Sequence, residues 1–182
     1  IMRVWTRRSQ FIAAACAVIA LTFIPTIVKA KPWTLHFPVS LDDPDNVKEG
    51  VIYPVGAVDY LERTQFHGNV MTHYNDGSYV MWHAWPAVKI GLDSRNDVGY
   101  TYEFIMEILA FYHGKPGWHL TLDRYPTDLV LIKRSFPLAA LMESQTNWRR
   151  VYRDDAFELW ERPDLTLPVE DRRGQKLTGT FP

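Results

Sequence analysis

The chain has 182 residues, 47% hydrophobic and 23% charged, with a formal net charge of -1. That length supports one domain with its own core plus additional segments, and the near-neutral charge excludes an electrostatic footprint for nucleic acid. The single cysteine, Cys16, excludes an internal disulfide, a cysteine-rich metal site and c-type haem attachment.

The first feature in chain order is "RVWTRRSQ" followed by Phe11 to Val28, a stretch without a charged side chain. At about 1.5 Å per residue, eighteen helical residues span roughly 27 Å, close to the hydrocarbon thickness of a bilayer. A secretory signal peptide shares the basic start, and Val28–Ala30 resembles a small-residue cleavage site. The apolar run is long for a signal peptide, so an uncleaved single-span anchor over 1–30 is expected. Cys16 lies within it; "AAAC" only faintly matches a lipoprotein box. Arg3, Arg7 and Arg8 precede the run and Lys29 and Lys31 follow it, which puts the N-terminus in the cytoplasm. Trp5 and Trp33 are placed for the two membrane interfaces, and Pro25 is expected to kink the helix. The chain starts at Ile1, so either Met2 is the true start or sequence lies upstream.

Residues 31–50 hold three prolines and no clean period, which reads as an extended connector. An α/β domain is expected over 51–162. "YPVGAVDYLERTQ" predicts a short helix, and "GNVMTH" and "AVKIGLD" predict strands. "GYTYEFIMEILAFYHG" predicts a strong helix with Tyr102, Ile105, Ile108 and Leu109 on one stripe and Gly114 as its stop. "GWHLTLDRY" is a short helix or turn, and "FPLAALMES" a short helix. "TDLVLIK" is a continuous apolar strand, as expected where both faces are covered. "WRRVYRDD" and "FELWER" form a hairpin around Asp154–Asp155. The pattern predicts a small, mostly parallel sheet with flanking helices and a C-terminal antiparallel hairpin at one edge. Residues 163–182 are a polar tail. Its large apolar side chains, Leu165, Leu167, Val169, Leu177 and Phe181, are too thinly spread to form a core, so it is expected to dock on a neighbour.

The segment "GNVMTHYNDGSYVMWHAW" gathers two histidines, an aspartate, an asparagine and two tryptophans. Asn75, Asp76 and Gly77 are turn chemistry leading into a buried "YVMW"; the alternative is that Asp76 lines a ligand cleft. His67, His73, His83, His113 and His119 lack the spacing of a metalloprotease motif and read as ordinary surface or hydrogen-bonded histidines. Asp93 and Arg95 follow a strand, where open α/β sheets bind ligands, yet a pair so close more often makes an ion pair that holds the loop. No phosphate loop or nucleophile elbow is present.

Together, "AVDYLERTQFHGNVMTHYNDGSYVMWH", "KIGLDSR", "WHLTLDRYPTDLVLIKRSFPLAAL" and "WRRVYRDDAFELW" give a resemblance over about residues 51–162. The stretch resembles the C-terminal extracytoplasmic domain of bacterial multi-pass glycosyltransferase-like membrane proteins. In that family the acidic catalytic residues lie in a loop among early membrane helices. This chain has nothing corresponding to that loop, so no catalytic residue carries over. The resemblance implies an α/β domain used for packing or recognition, with Tyr79, Met81 and Trp82 in its framework or interface.

The resulting expectation is a non-catalytic accessory subunit of a bacterial inner-membrane complex, respiratory or photosynthetic assemblies being candidates. Its partners are the other subunits and the bilayer, its N-terminus is cytoplasmic and its main domain periplasmic. No catalytic, cofactor-binding or metal-ligating residue is assigned. The alternatives are the last span and C-terminal domain of a membrane glycosyltransferase, and a periplasmic binding domain released by cleavage.

Overall fold

The computed structural model describes residues 2–30, 53–95 and 98–175. The expected connector at 31–50 and the last residues of the tail lie outside them. The chain divides into two units, Ile1–Phe37 and Pro38–Pro182.

In the first unit, helix α1 runs Met2–Ala30 and contains Pro25. Among the described residues, no helix is long and apolar enough to cross a membrane.

The second unit is a mixed α/β domain. In chain order it contains α2 (Val55–Arg63), β1 (Gly68–Met71), α3 (Gly77–Ala84), β2 (Val88–Ile90), α4 (Tyr102–Tyr112) and α5 (Leu120–Arg124). It continues with β3 (Leu129–Lys133), α6 (Pro137–Glu143), β4 (Arg149–Arg153), β5 (Phe157–Glu161) and β6 (Glu170–Asp171). One six-stranded sheet has the order β2-β1-β3-β5-β4-β6. β1 pairs in parallel with β2 and β3, and β4 with β6; β5 is antiparallel to both β3 and β4.

β3 explains the two-sided core. Its side chains alternate, so Leu129 and Leu131 pack into the layer under α2 and α3, while Val130 and Ile132 pack under α4 and α6. Both faces are covered, which is why its sequence is an unbroken apolar run. α4 begins at Thr101, whose hydroxyl accepts the Phe104 amide at 3.3 Å. It stops at Gly114, where φ is +61° and the amides of Gly114 and Lys115 bond back to Phe111 and Ala110. The hairpin turns on Asp154, fully buried, which accepts from the Tyr152 hydroxyl at 2.8 Å and from the Ala156 and Phe157 amides at 2.7 Å.

Three expectations change. The "YVMW" segment is helical, not a uniformly buried run. Tyr79, Val80 and Ala84 share the inner arc of α3, and the helical period turns Met81 and Trp82 outward, Trp82 to 66% exposure. On α4, Ile105 and Ile108 are buried, but Tyr102 at the first turn is exposed. Finally, the domain is not complete at Glu161, and the β4–β5 hairpin is not the sheet edge. Leu165 and Leu167 pack against the core, and β6 pairs with β4 outside the hairpin. Tyr60 donates its hydroxyl to the Pro168 carbonyl at 2.7 Å. Arg63 grips Glu170 with two hydrogen bonds, at 2.9 and 2.8 Å, and Arg172 reaches Asp59 at 3.0 Å. The described part of the tail is therefore fastened to its own domain.

Candidate functional site

β1 lies between its two parallel neighbours, and the chain leaves β1 and β3 toward opposite faces of the sheet. After β1 it enters α3, whose buried side chains join the core layer of Val70. After β3 it enters α6, whose Leu138, Ala139 and Met142 join the other layer. The two loops thus part at the carboxyl ends of β1 and β3, the topological switch point where open α/β sheets bind ligands.

Tyr112 fills the point of divergence. The β1–β3 register ends at Met71 opposite Val130, and the Tyr112 hydroxyl reaches the carbonyls of Met71 and Leu131, each at 2.9 Å. Full burial raises its pKa well above that of a free phenol, so it stays neutral. The loop between β1 and α3 is pinned to the segment just after β2. The Thr72 hydroxyl donates to the Leu92 carbonyl at 2.6 Å and accepts from the Leu92 amide at 3.2 Å. Gly77 is required there, because a Cβ would stand 1.8 Å from the Leu92 carbonyl oxygen.

Two residues flagged by the sequence come together in this crevice. His73 is buried, its ring centroid 4.6 Å from Phe136 and 5.2 Å from Tyr112. Its Nδ1 accepts from the Asn75 amide at 3.3 Å, leaving the proton of the neutral ring on Nε2. Burial pushes its pKa down to about 4, with His113 and Lys133 acting the same way. Asp76 is 4% exposed at the start of α3, and its carboxyl makes no capping hydrogen bond. Burial pushes it up to about 7, against the pull of Lys133. The crevice therefore holds a neutral imidazole beside a carboxyl that ionises only near neutrality.

The other flagged residues lie apart or do structural work. Asp93, fully buried, accepts from the Arg95 amide at 2.9 Å and from its Nε at 2.8 and 3.0 Å, which holds the loop after β2. His83 is half-buried against Tyr79, with ring centroids 4.5 Å apart. His67 and His119 are exposed on other segments, and His113 stacks at the edge of Phe136, 5.8 Å away. Among the described residues, no group of three or more His, Cys, Asp or Glu could hold a metal ion. A cavity of about 260 Å³ lies beside the β1–β2 pair, lined by Asn69, Met71, Lys89, Phe104 and Tyr125, and it includes neither His73 nor Asp76.

Tyr112, Lys133 and Phe136 were not marked by the sequence as members of a site. Their position at strand and helix ends around β1 and β3 was the available signal. No family model, curated protein or solved structure matches this chain.

Proposed function

We propose that the chain is a membrane-anchored, non-catalytic subunit that holds its α/β domain at the outer surface of a bacterial inner membrane, packed on a larger membrane complex. One observation carries the anchor. Phe11, Ile12, Val18, Ile19, Leu21, Phe23, Ile24 and Val28 are all between 52% and 75% exposed on α1. At 100° per residue they cover every side of the helix, and a helix apolar all round needs apolar surroundings. The hydroxyl of Thr22 fits the same setting. Thr22 donates back to the Val18 and Ile19 carbonyls at 3.0 and 2.9 Å, leaving it no need of water.

The non-catalytic part of the reading is supported by the switch-point crevice. Its histidine is neutral and packed between rings, and its carboxyl is sealed at a helix start. The resemblance to glycosyltransferase C-terminal domains supports a second reading, in which α1 is the last of several spans. An open reading frame with many upstream spans would decide for it.

A charge in mid-helix tests the anchor. Leu21→Arg should weaken insertion, because Arg at the centre of a span costs about 2.5–3.5 kcal/mol on insertion scales. The wild-type chain should stay in the membrane pellet after a carbonate wash and the variant should shift to the supernatant. Equal retention of both would overturn the anchor.

A further inference from the structure

We propose that the cavity beside β1 and β2 binds a small aromatic carboxylate, its ring against Phe104 and Tyr125 and its carboxylate between Lys89 and Asn69. The side chains that shape it share one face of the sheet. On β1, Val70 packs into the layer under α2 and α3, so Asn69 and Met71 point to the opposite face, where Met71 joins the layer under α4. On β2, Val88 and Ile90 belong to the layer of Val70, so Lys89 points the same way as Asn69. Gly91 continues that floor, since a Cβ there would stand 2.8 Å from the Met71 Sδ. Phe104 on α4 and Tyr125 after α5 pack against the same layer and meet edge to face, with ring centroids 5.1 Å apart. The strands and the two rings border a space of about 260 Å³. A cavity of about 150 Å³ takes up a benzene molecule, so this one has room for a ring with a carboxylate and one further small substituent.

The polar groups select the substituent. Asn69 and Lys89 are register partners on adjacent parallel strands. Their backbones are therefore about 4.8 Å apart, and their side chains rise side by side from one face. Among the described residues, neither the Lys89 ammonium nor the Asn69 carboxamide has a hydrogen-bond or ion-pair partner. The acids nearby are already engaged. Asp128 accepts the Asn69 backbone amide at 2.7 Å and pairs with Arg162 at 3.1 Å. Glu107 accepts the Tyr125 hydroxyl at 3.1 Å and Arg124 at 2.9 Å. Lys89 is thus a cation at the cavity without a counter-ion among the described residues, and a ligand carboxylate supplies one. Its two oxygens accept from the ammonium and the carboxamide together, the first as a charge-assisted bond. Met71, Phe104 and Tyr125 supply an apolar wall that suits a flat ring and offers nothing to a free inorganic anion. The assignment is independent of how α1 is placed.

Fluorine NMR of para-fluorobenzoate, titrated with the full-length chain in detergent, tests the site. Para-fluorobenzamide serves as the uncharged probe of the same shape, and a protein-free micelle sample gives the background for both. The wild type should broaden the benzoate resonance saturably. Lys89→Met and Asn69→Asp should each weaken benzoate binding by about fivefold or more and change benzamide binding by less than about twofold, because the first removes the cation and the second sets a like charge beside it. Lys89 is exposed, so its variant should keep the wild-type unfolding midpoint. Phe104→Leu should weaken both probes by removing part of the ring wall. Absence of saturable broadening with the wild type would overturn the site. Benzoate affinity unchanged in Lys89→Met, or an equal loss of both probes in that variant, would overturn the choice of a carboxylate.

Discussion

Deleting residues 163–182 should lower the unfolding temperature of the domain by about 10–20 °C. Without the segment, the buried Tyr60 hydroxyl loses the Pro168 carbonyl that accepts from it at 2.7 Å. Glu161, 1% exposed, loses the Leu167 amide at 3.0 Å, and Arg149 loses the Leu167 carbonyl at 2.9 Å. A buried polar group left without its partner costs about 1–3 kcal/mol. Leu165 and Leu167 also withdraw from the core layer, and the apolar surface beneath them meets water at about 25 cal/mol per Å². The partly exposed ion pairs of Arg63 and Arg172 add less by comparison. Together these losses come to about 3–6 kcal/mol, and 1 kcal/mol moves the midpoint of a domain this size by about 3–4 °C. Calorimetry of the full-length and truncated chains in the same detergent reads the difference. A midpoint unchanged within about 2 °C would show that the segment is not part of the domain's structure. The sequence alone led to the opposite expectation, a tail whose removal leaves unfolding unchanged.

The reason for that reversal is physical. The tail's few apolar side chains gave no periodic signal, and what fastens it is long-range: Tyr60 to Pro168, Arg63 to Glu170, Arg172 to Asp59. A two-residue strand such as β6 has no sequence signature at all. By contrast, β3 was legible because an apolar run bounded by turns implies a strand covered on both faces. The hairpin was legible because the paired acids Asp154–Asp155 are turn formers, and Asp154 does tie the turn with three accepted hydrogen bonds. α3 was misread because eight residues with mixed polarity do not reveal which arc faces inward. The crevice was half legible. His73 and Asp76 stood out as residue types, but their company, Tyr112 and Phe136, is set by strand order, and no local pattern encodes the order β2-β1-β3.

Asp76→Asn should stabilise the domain at pH 8 by up to roughly 4 kcal/mol and leave it almost unchanged near pH 4. The carboxyl is pushed from 3.8 to about 7 by burial, and each pKa unit corresponds to about 1.36 kcal/mol. Its folded pKa is raised, so its contribution is fully present below about pH 4 and is lost as pH rises to about 7. His73 runs the other way. Its folded pKa is lowered from 6.5 to about 4, so its contribution is present above pH 6.5 and is lost as pH falls toward 4. The two slopes oppose each other across the same window, and the wild type should show a shallow profile between pH 4 and 6.5. The Asn variant removes the falling limb and should gain stability with pH over that range. Urea unfolding at pH 4, 6 and 8 measures the difference between the two chains. A variant no more stable than the wild type at pH 8 would mean that Asp76 ionises without penalty and is not sealed in the crevice.

A membrane anchor requires α1 to lie in lipid, and Cys16 reports on that directly. It is the chain's single cysteine and is exposed on the helix surface, so only surrounding lipid would keep an aqueous reagent from it. In sealed vesicles carrying the full-length chain, a membrane-impermeant maleimide should leave Cys16 unmodified, and the same reagent should label it completely once SDS dissolves the bilayer. Full labelling in the intact vesicles would place α1 in water and contradict the membrane anchor.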